Sequence, residues 1–81
     1  MPTTTTREQK RFRKTFPGRL QELRAGRSQR QFARDLGVFQ QNINRYENGQ
    51  VPHIDFMIVV SEKCNVSLNW LILGKGRKKA A

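Results

Sequence analysis

From Gly18 to Gly74 the apolar residues recur at helical spacing in short runs, each closed by a residue suited to a cap or a left-handed turn. Leu20 and Leu23 make a minimal stripe on a first helix that ends near Gly26. Ser28 is placed to cap a second helix, with Phe32, Ala33 and Leu36 on its inner face and Gly37 as its stop. A third helix spans about Phe39 to Asn48. On it Ile43, Tyr46 and the aliphatic part of Glu47 share one face, so Gln41, Asn44, Arg45 and Asn48 point the other way. Asn48-Gly49 ends this helix, and Pro52 opens the approach to a fourth, about Ile54 to Cys64, with Asn65 at its left-handed cap. Ser67 caps a fifth, Leu68 to Leu73. The pattern predicts an all-α fold, a compact arrangement of five helices.

The two ends read differently. Met1 to Thr6 carries no apolar run for a core and is expected to be disordered. Arg7 to Phe16 is a candidate for an extra short N-terminal helix, with Thr5 as N-cap, Glu8 at capping-box spacing, and Phe12 and Phe16 at i, i+4. Pro17-Gly18 is expected to interrupt it. Beyond Gly74 the residues Lys75, Arg77, Lys78 and Lys79 read as a mobile tail. The organisation expected is therefore a basic, partly disordered segment 1–15, a folded domain 16–74 and a basic flexible tail 75–81.

Charge narrows the partners. The 81 residues include 16 Lys and Arg against 6 Asp and Glu, a net charge of +10, which points to an acidic polymer but leaves nucleic acid, anionic membrane and acidic protein open. The longest apolar run, Phe56 to Val60, is far too short to span a bilayer, and the N-terminus lacks a signal-peptide pattern. No membrane association is expected, and the chain is assigned to the cytoplasm. Cys64 is the single cysteine and His53 the single histidine, so no disulfide, metal site or cofactor is expected, and Cys64 is read as core packing. The sequence holds no catalytic triad, paired carboxylates beside a Gly-rich loop or metal-ligand spacing, and no enzyme is expected.

The decisive segment is Ser28 to Gly49, SQRQFARDLGVFQQNINRYENG. Two short capped helices joined through Gly37 and Val38 form a helix-turn-helix unit, whose first helix braces the DNA backbone and whose second reads bases. Ala33 is small where the helices cross, Gly37 accepts a positive φ, Val38 plugs the turn into the core, and Ile43 anchors the reading helix. An outward surface of Gln40, Gln41, Asn44 and Arg45 has base-reading chemistry: amides suit the N6/N7 edge of adenine and arginine the O6/N7 edge of guanine.

At this point the chain resembles the Xre or phage lambda repressor-like family over about Phe16 to Gly74, through the stretches RLQELR, SQxxFAxxLGV, RYENG and VSLNWLILG. The resemblance implies a five-helix domain that binds palindromic operator DNA as a two-fold homodimer. It implies base reading by Gln40, Gln41 and Arg45 and a phosphate contact from Gln29; Asn44 joins the base readers by its place on the same face, Arg30, Asn48 and Gln50 are further candidate phosphate contacts, and His53 is placed in a loop near the DNA backbone. It also implies an ion pair between Arg24 and Glu47. Two departures stand out. Phe39 occupies the position where the family carries Ser or Thr as N-cap, so the reading helix either loses its side-chain cap or gains a contact to a thymine methyl. The link between the first helix and Ser28 is also shorter than in many relatives.

On the fourth helix Ile54, Met57, Ile58 and Val60 fall at the family's core positions, whereas Phe56 and Val59 fall at polar ones. A patch of Phe56 and Val59 is therefore expected on the surface, covered by a second copy across a two-fold axis or by Phe12 and Phe16. The first of these covers is favoured. Trp70, Leu71 and Leu68 are expected to close the core, some of them at a dimer surface. The function expected is a sequence-specific, double-stranded DNA-binding transcription regulator acting as a repressor. The competing reading is an antitoxin or adaptor that uses the same fold to hold a protein partner.

Overall fold

A computed structural model describes residues 6–79. It is built from five helices: α1 (Arg7–Arg24), α2 (Gln29–Leu36), α3 (Gln40–Glu47), α4 (Ile54–Cys64) and α5 (Asn69–Leu73), the last a π-helical turn. No helix among the described residues is long and apolar enough to cross a membrane.

The helix ends obey local chemistry. The Ser28 hydroxyl accepts from the Gln31 N–H at 3.0 Å. At the far end of α2, Gly37 turns left-handed at φ 75°, so that Val38 N–H reaches the Ala33 carbonyl and Gly37 N–H the Arg34 carbonyl. This double closure satisfies carbonyls the helix would leave unpaired, and it fixes the angle at which α3 departs. Asn65, at φ 53°, ends α4 in the left-handed conformation. The Ser67 hydroxyl accepts from Trp70 N–H at 3.0 Å and starts α5.

The first helix departs from expectation. It runs unbroken through Pro17 to Arg24, so the expected interruption at Pro17-Gly18 does not occur and residues 7–16 are the first turns of a longer helix. Pro17 costs α1 one backbone bond, the donor to the Arg13 carbonyl. Phe16 and Leu20, 1 % and 0 % exposed, straddle it and are both locked in the core, and that burial holds the helix across the defect. The N-cap is Thr6, reciprocally bonded with Gln9 in a capping box, one residue beyond the Thr5–Glu8 pair expected; Thr5 lies outside the described residues. Phe12 extends the apolar stripe, its ring 4.9 Å from that of Phe16.

The core gathers Phe16, Leu20, Phe32, Ala33, Leu36, Ile43, Tyr46, Phe56, Met57, Val60 and Leu71. The expected surface patch on α4 is not formed: Phe56 is buried and Val59 half-buried, while Ile54 and Ile58 are exposed. Tyr46 supplies the reason, since its ring takes Phe56 edge-on at 4.5 Å and so rotates α4 to bury the face of Phe56, Met57 and Val60. Ile54 and Ile58 are left on the opposite side. Cys64 packs against this core half-buried, and desolvation pushes its thiol up from the ordinary range. Leu71 closes the core and Trp70 is half-buried, whereas Leu68 is exposed.

Through Lys79 the tail is docked rather than free. The Ser67 hydroxyl donates to the Arg77 carbonyl, Ser67 N–H donates to the Lys78 carbonyl, and Val66 bridges to Lys79. The Lys78 ammonium pairs with Glu22 of α1 and lies 5.2 Å above the Trp70 ring, while Lys75 reaches Glu8 at 3.3 Å. Opposite charges on α1 and an aromatic face on α5 thus give the basic run fixed partners. Arg19 completes the seam, its guanidinium donating to the Leu71 and Ile72 carbonyls at the end of α5.

Candidate nucleic-acid interface

α3 is held from behind. Ile43, Tyr46 and Glu47 are buried, and these three anchors leave Gln40, Gln41, Asn44 and Arg45 exposed on the opposite face. The four side chains together line an open concavity of 380 Å³. Arg45 has no acidic partner among the described residues, so its full fork of donors is available to a ligand.

Phe39 supplies no side-chain cap to α3, and its ring is 80 % exposed, the most exposed large apolar side chain of the described residues. It stands at the N-terminal end of the helix, the end that a helix-turn-helix protein presents to base edges.

The orientation of α3 rests on one carboxylate. Glu47 is 9 % exposed and accepts from Arg24 Nε at 2.7 Å, a second Arg24 nitrogen at 3.1 Å and Gln29 Nε2 at 3.0 Å. Arg24 belongs to α1, Gln29 to α2 and Glu47 to α3, so one acid ties three helices together. Its hydrogen bond to Glu47 raises the Arg24 guanidinium above its ordinary pKa. Arg24 also donates to the Arg27 carbonyl at 2.8 Å, bracing the short link to Ser28. In that link Arg27 bonds Asp35 at 2.8 Å, and this bond, with a second from Gln31, holds the Asp35 carboxyl below its usual range.

A carboxylate only accepts, so the amide of Gln29 must turn its NH2 toward Glu47 and its oxygen toward Asn44, whose Nδ2 donates to it at 3.3 Å. The polarity of the Asn44 amide follows: its oxygen is free to face a ligand. This relay is not legible in the sequence, where Gln29 reads as the start of a capped helix and, by resemblance, as a phosphate contact. Arg30, Asn48 and Gln50 are exposed, and His53 is exposed at the N-cap of α4. One hydrogen of the Asn48 NH2 goes to the Asn44 carbonyl at 2.7 Å, which leaves the other free, and Gln50 N–H donates to the Arg45 carbonyl.

Comparison with known proteins gives one family. No curated protein and no solved structure matches the chain. A family model described as helix-turn-helix matches residues 20–71, which takes in α2, the turn at Gly37, α3 and the core residues of α4 and α5. That stretch is more than half of the sequence and contains the whole of the Glu47 junction, and the chain belongs to the Xre or phage lambda repressor-like family of helix-turn-helix proteins.

Proposed function

We propose that the protein is a sequence-specific, double-stranded DNA-binding transcription regulator that lays α3 in the major groove and represses by occluding the polymerase. The observation that carries this reading is the single open face of Gln40, Gln41, Asn44 and Arg45 on a helix fixed from behind by Ile43, Tyr46 and Glu47. Arg45 reads guanine, and the amides of Gln40, Gln41 and Asn44 read adenine. Phe39 meets a thymine methyl, which needs no hydrogen-bonding group. Arg30, Gln50 and the second amide hydrogens of Gln29 and Asn48 contact phosphates and position the helix without specifying sequence.

A reading surface of this size covers few base pairs, so two copies on a palindrome supply the specificity, with reading helices about 34 Å apart on one DNA face. Such a regulator works where the DNA is, in the cytoplasm.

Selection of preferred duplexes from a random pool tests the reading, followed by variants on the selected site. Arg45→Ala and Gln41→Ala each lose about 1–3 kcal/mol of affinity on that site and little on scrambled DNA. Equal losses on both duplexes would refute base reading. Binding that is weak and indifferent to sequence in the wild type would favour a protein adaptor instead.

A further inference from the structure

The two flanks of α1 differ in how their charges are used. On the side facing α5 and the tail, Glu8 pairs with Arg11 at 3.7 Å and Lys75 at 3.3 Å, Glu22 pairs with Lys78, and Arg19 is bonded to carbonyls. The other flank carries Lys10, Arg13 and Lys14, all exposed, and none has an acidic partner among the described residues. Both acids of α1 lie on the first flank, so the second is an uncompensated stretch of positive charge.

The position of that stretch relative to α3 follows from helix geometry. Arg13 precedes Arg24 by three turns, which returns it to within about 20° of the same direction. Arg24 faces the end of α3, where it holds Glu47. A second observation agrees: Arg13 and Val51, the residue after Gln50 in the loop that leaves the reading helix, line one groove of 230 Å³, whose other wall is Glu8, Phe12 and the end of α5. Lys10 lies one turn before Arg13 and is its neighbour on the helix surface. The free cations of α1 therefore sit on the side of the molecule from which α3 and the Asn48–Val51 loop project.

We propose that Lys10 and Arg13 form a second DNA-phosphate contact, which carries the backbone track from Gln50 onto the N-terminal half of α1. This site lies outside the 20–71 stretch shared with the family, and it rests on the DNA-binding reading above. The unbroken passage of α1 through Pro17 makes it possible, since an interrupted segment would hold these cations in no fixed direction. The flank, which continues through Pro17 and Gln21, has no large apolar side chain to insert into a lipid surface. Its chemistry fits a polyanion lying across it, already aligned by α3.

The test is a salt titration of binding to the selected duplex, using full-length wild type, Lys10→Gln with Arg13→Gln, and a control pair, Arg77→Gln with Lys79→Gln. Both pairs remove the same charge, and helicity by circular dichroism verifies that each folds. Each lost phosphate contact lowers the log–log slope by about 0.9, so the α1 pair should reduce it by about 1.8. Over a fourfold rise in salt its affinity then falls about 12-fold less than that of wild type. The control pair should keep the wild-type slope, and the sequence preference should be the same in all three proteins. An unchanged slope for the α1 pair overturns the contact, as does an equal change for both pairs, which would reflect net charge alone. A wild type without sequence preference would instead remove the DNA-binding reading itself.

Discussion

Replacing Phe39 by serine should stabilise the protein while weakening its grip on DNA. The N-terminus of α3 has no side-chain acceptor, although Asn42 N–H bonds back to the Phe39 carbonyl at 3.0 Å. A serine hydroxyl at this position would accept from Gln41 or Asn42 N–H, a gain of about 1 kcal/mol. Against it stands the burial lost with the ring. At 80 % exposure Phe39 hides about 40 Å² at most, and serine retains part of that, so the loss is about 0.5 kcal/mol or less at 25 cal/mol per Å². The net gain is about 0.5–1 kcal/mol, which for a domain of this size raises Tm by roughly 2–8 °C. Thermal and urea unfolding measure it, and the urea midpoint should rise with an unchanged slope. A melting temperature at or below wild type would show that the ring braces α3 by a contact worth more than the missing cap. On the selected duplex the same variant should lose affinity at the thymine facing residue 39, and that dependence should vanish when deoxyuridine replaces the thymine.

Arg24→Ala should lower the melting temperature more than alanine at exposed Arg30 does, because it leaves the Glu47 carboxylate with one donor, Gln29. Arg24→Lys should recover little of the loss, since an ammonium cannot reproduce the two-nitrogen fork, and a melt equal to wild type would refute the junction's role. Pro17→Ala should restore the donor to the Arg13 carbonyl and stabilise the fold by about 1–3 kcal/mol; destabilisation would mean that the core is fitted to the proline.

What the sequence made legible is what neighbouring residues decide among themselves. Ser28, Gly37 and Asn65 sit where they were expected because capping is settled within one turn of chain. The open face of α3 was legible for the same reason, since Ile43 and Tyr46 mark its inner side unaided. Pro17 shows the opposite case. The local rule predicts a break, but two core side chains on either side of it outweigh one missing hydrogen bond. On α4 two apolar stripes compete, Ile54 with Ile58 and Phe56 with Val60, and helical period cannot choose between them. The choice belongs to Tyr46, on another helix. The basic tail looked free because its partners, Glu8, Glu22 and Trp70, are distant in sequence. The relay from Glu47 through Gln29 to Asn44 likewise joins three positions that only the crossing of α2 and α3 brings within reach.

The bond from Arg19 to the end of α5 sets a condition on biosynthesis. Its acceptors are the carbonyls of Leu71 and Ile72, and Leu71 itself is fully buried. Until those residues leave the ribosome, α1 lacks one of its two main packing partners, α3 being the other, and the guanidinium has no carbonyl to hold. α2 and α3 are translated before the piece that closes the core behind them. A nascent chain can thus expose the outer face of α3 on an open scaffold, and the core behind it closes only once α5 has emerged.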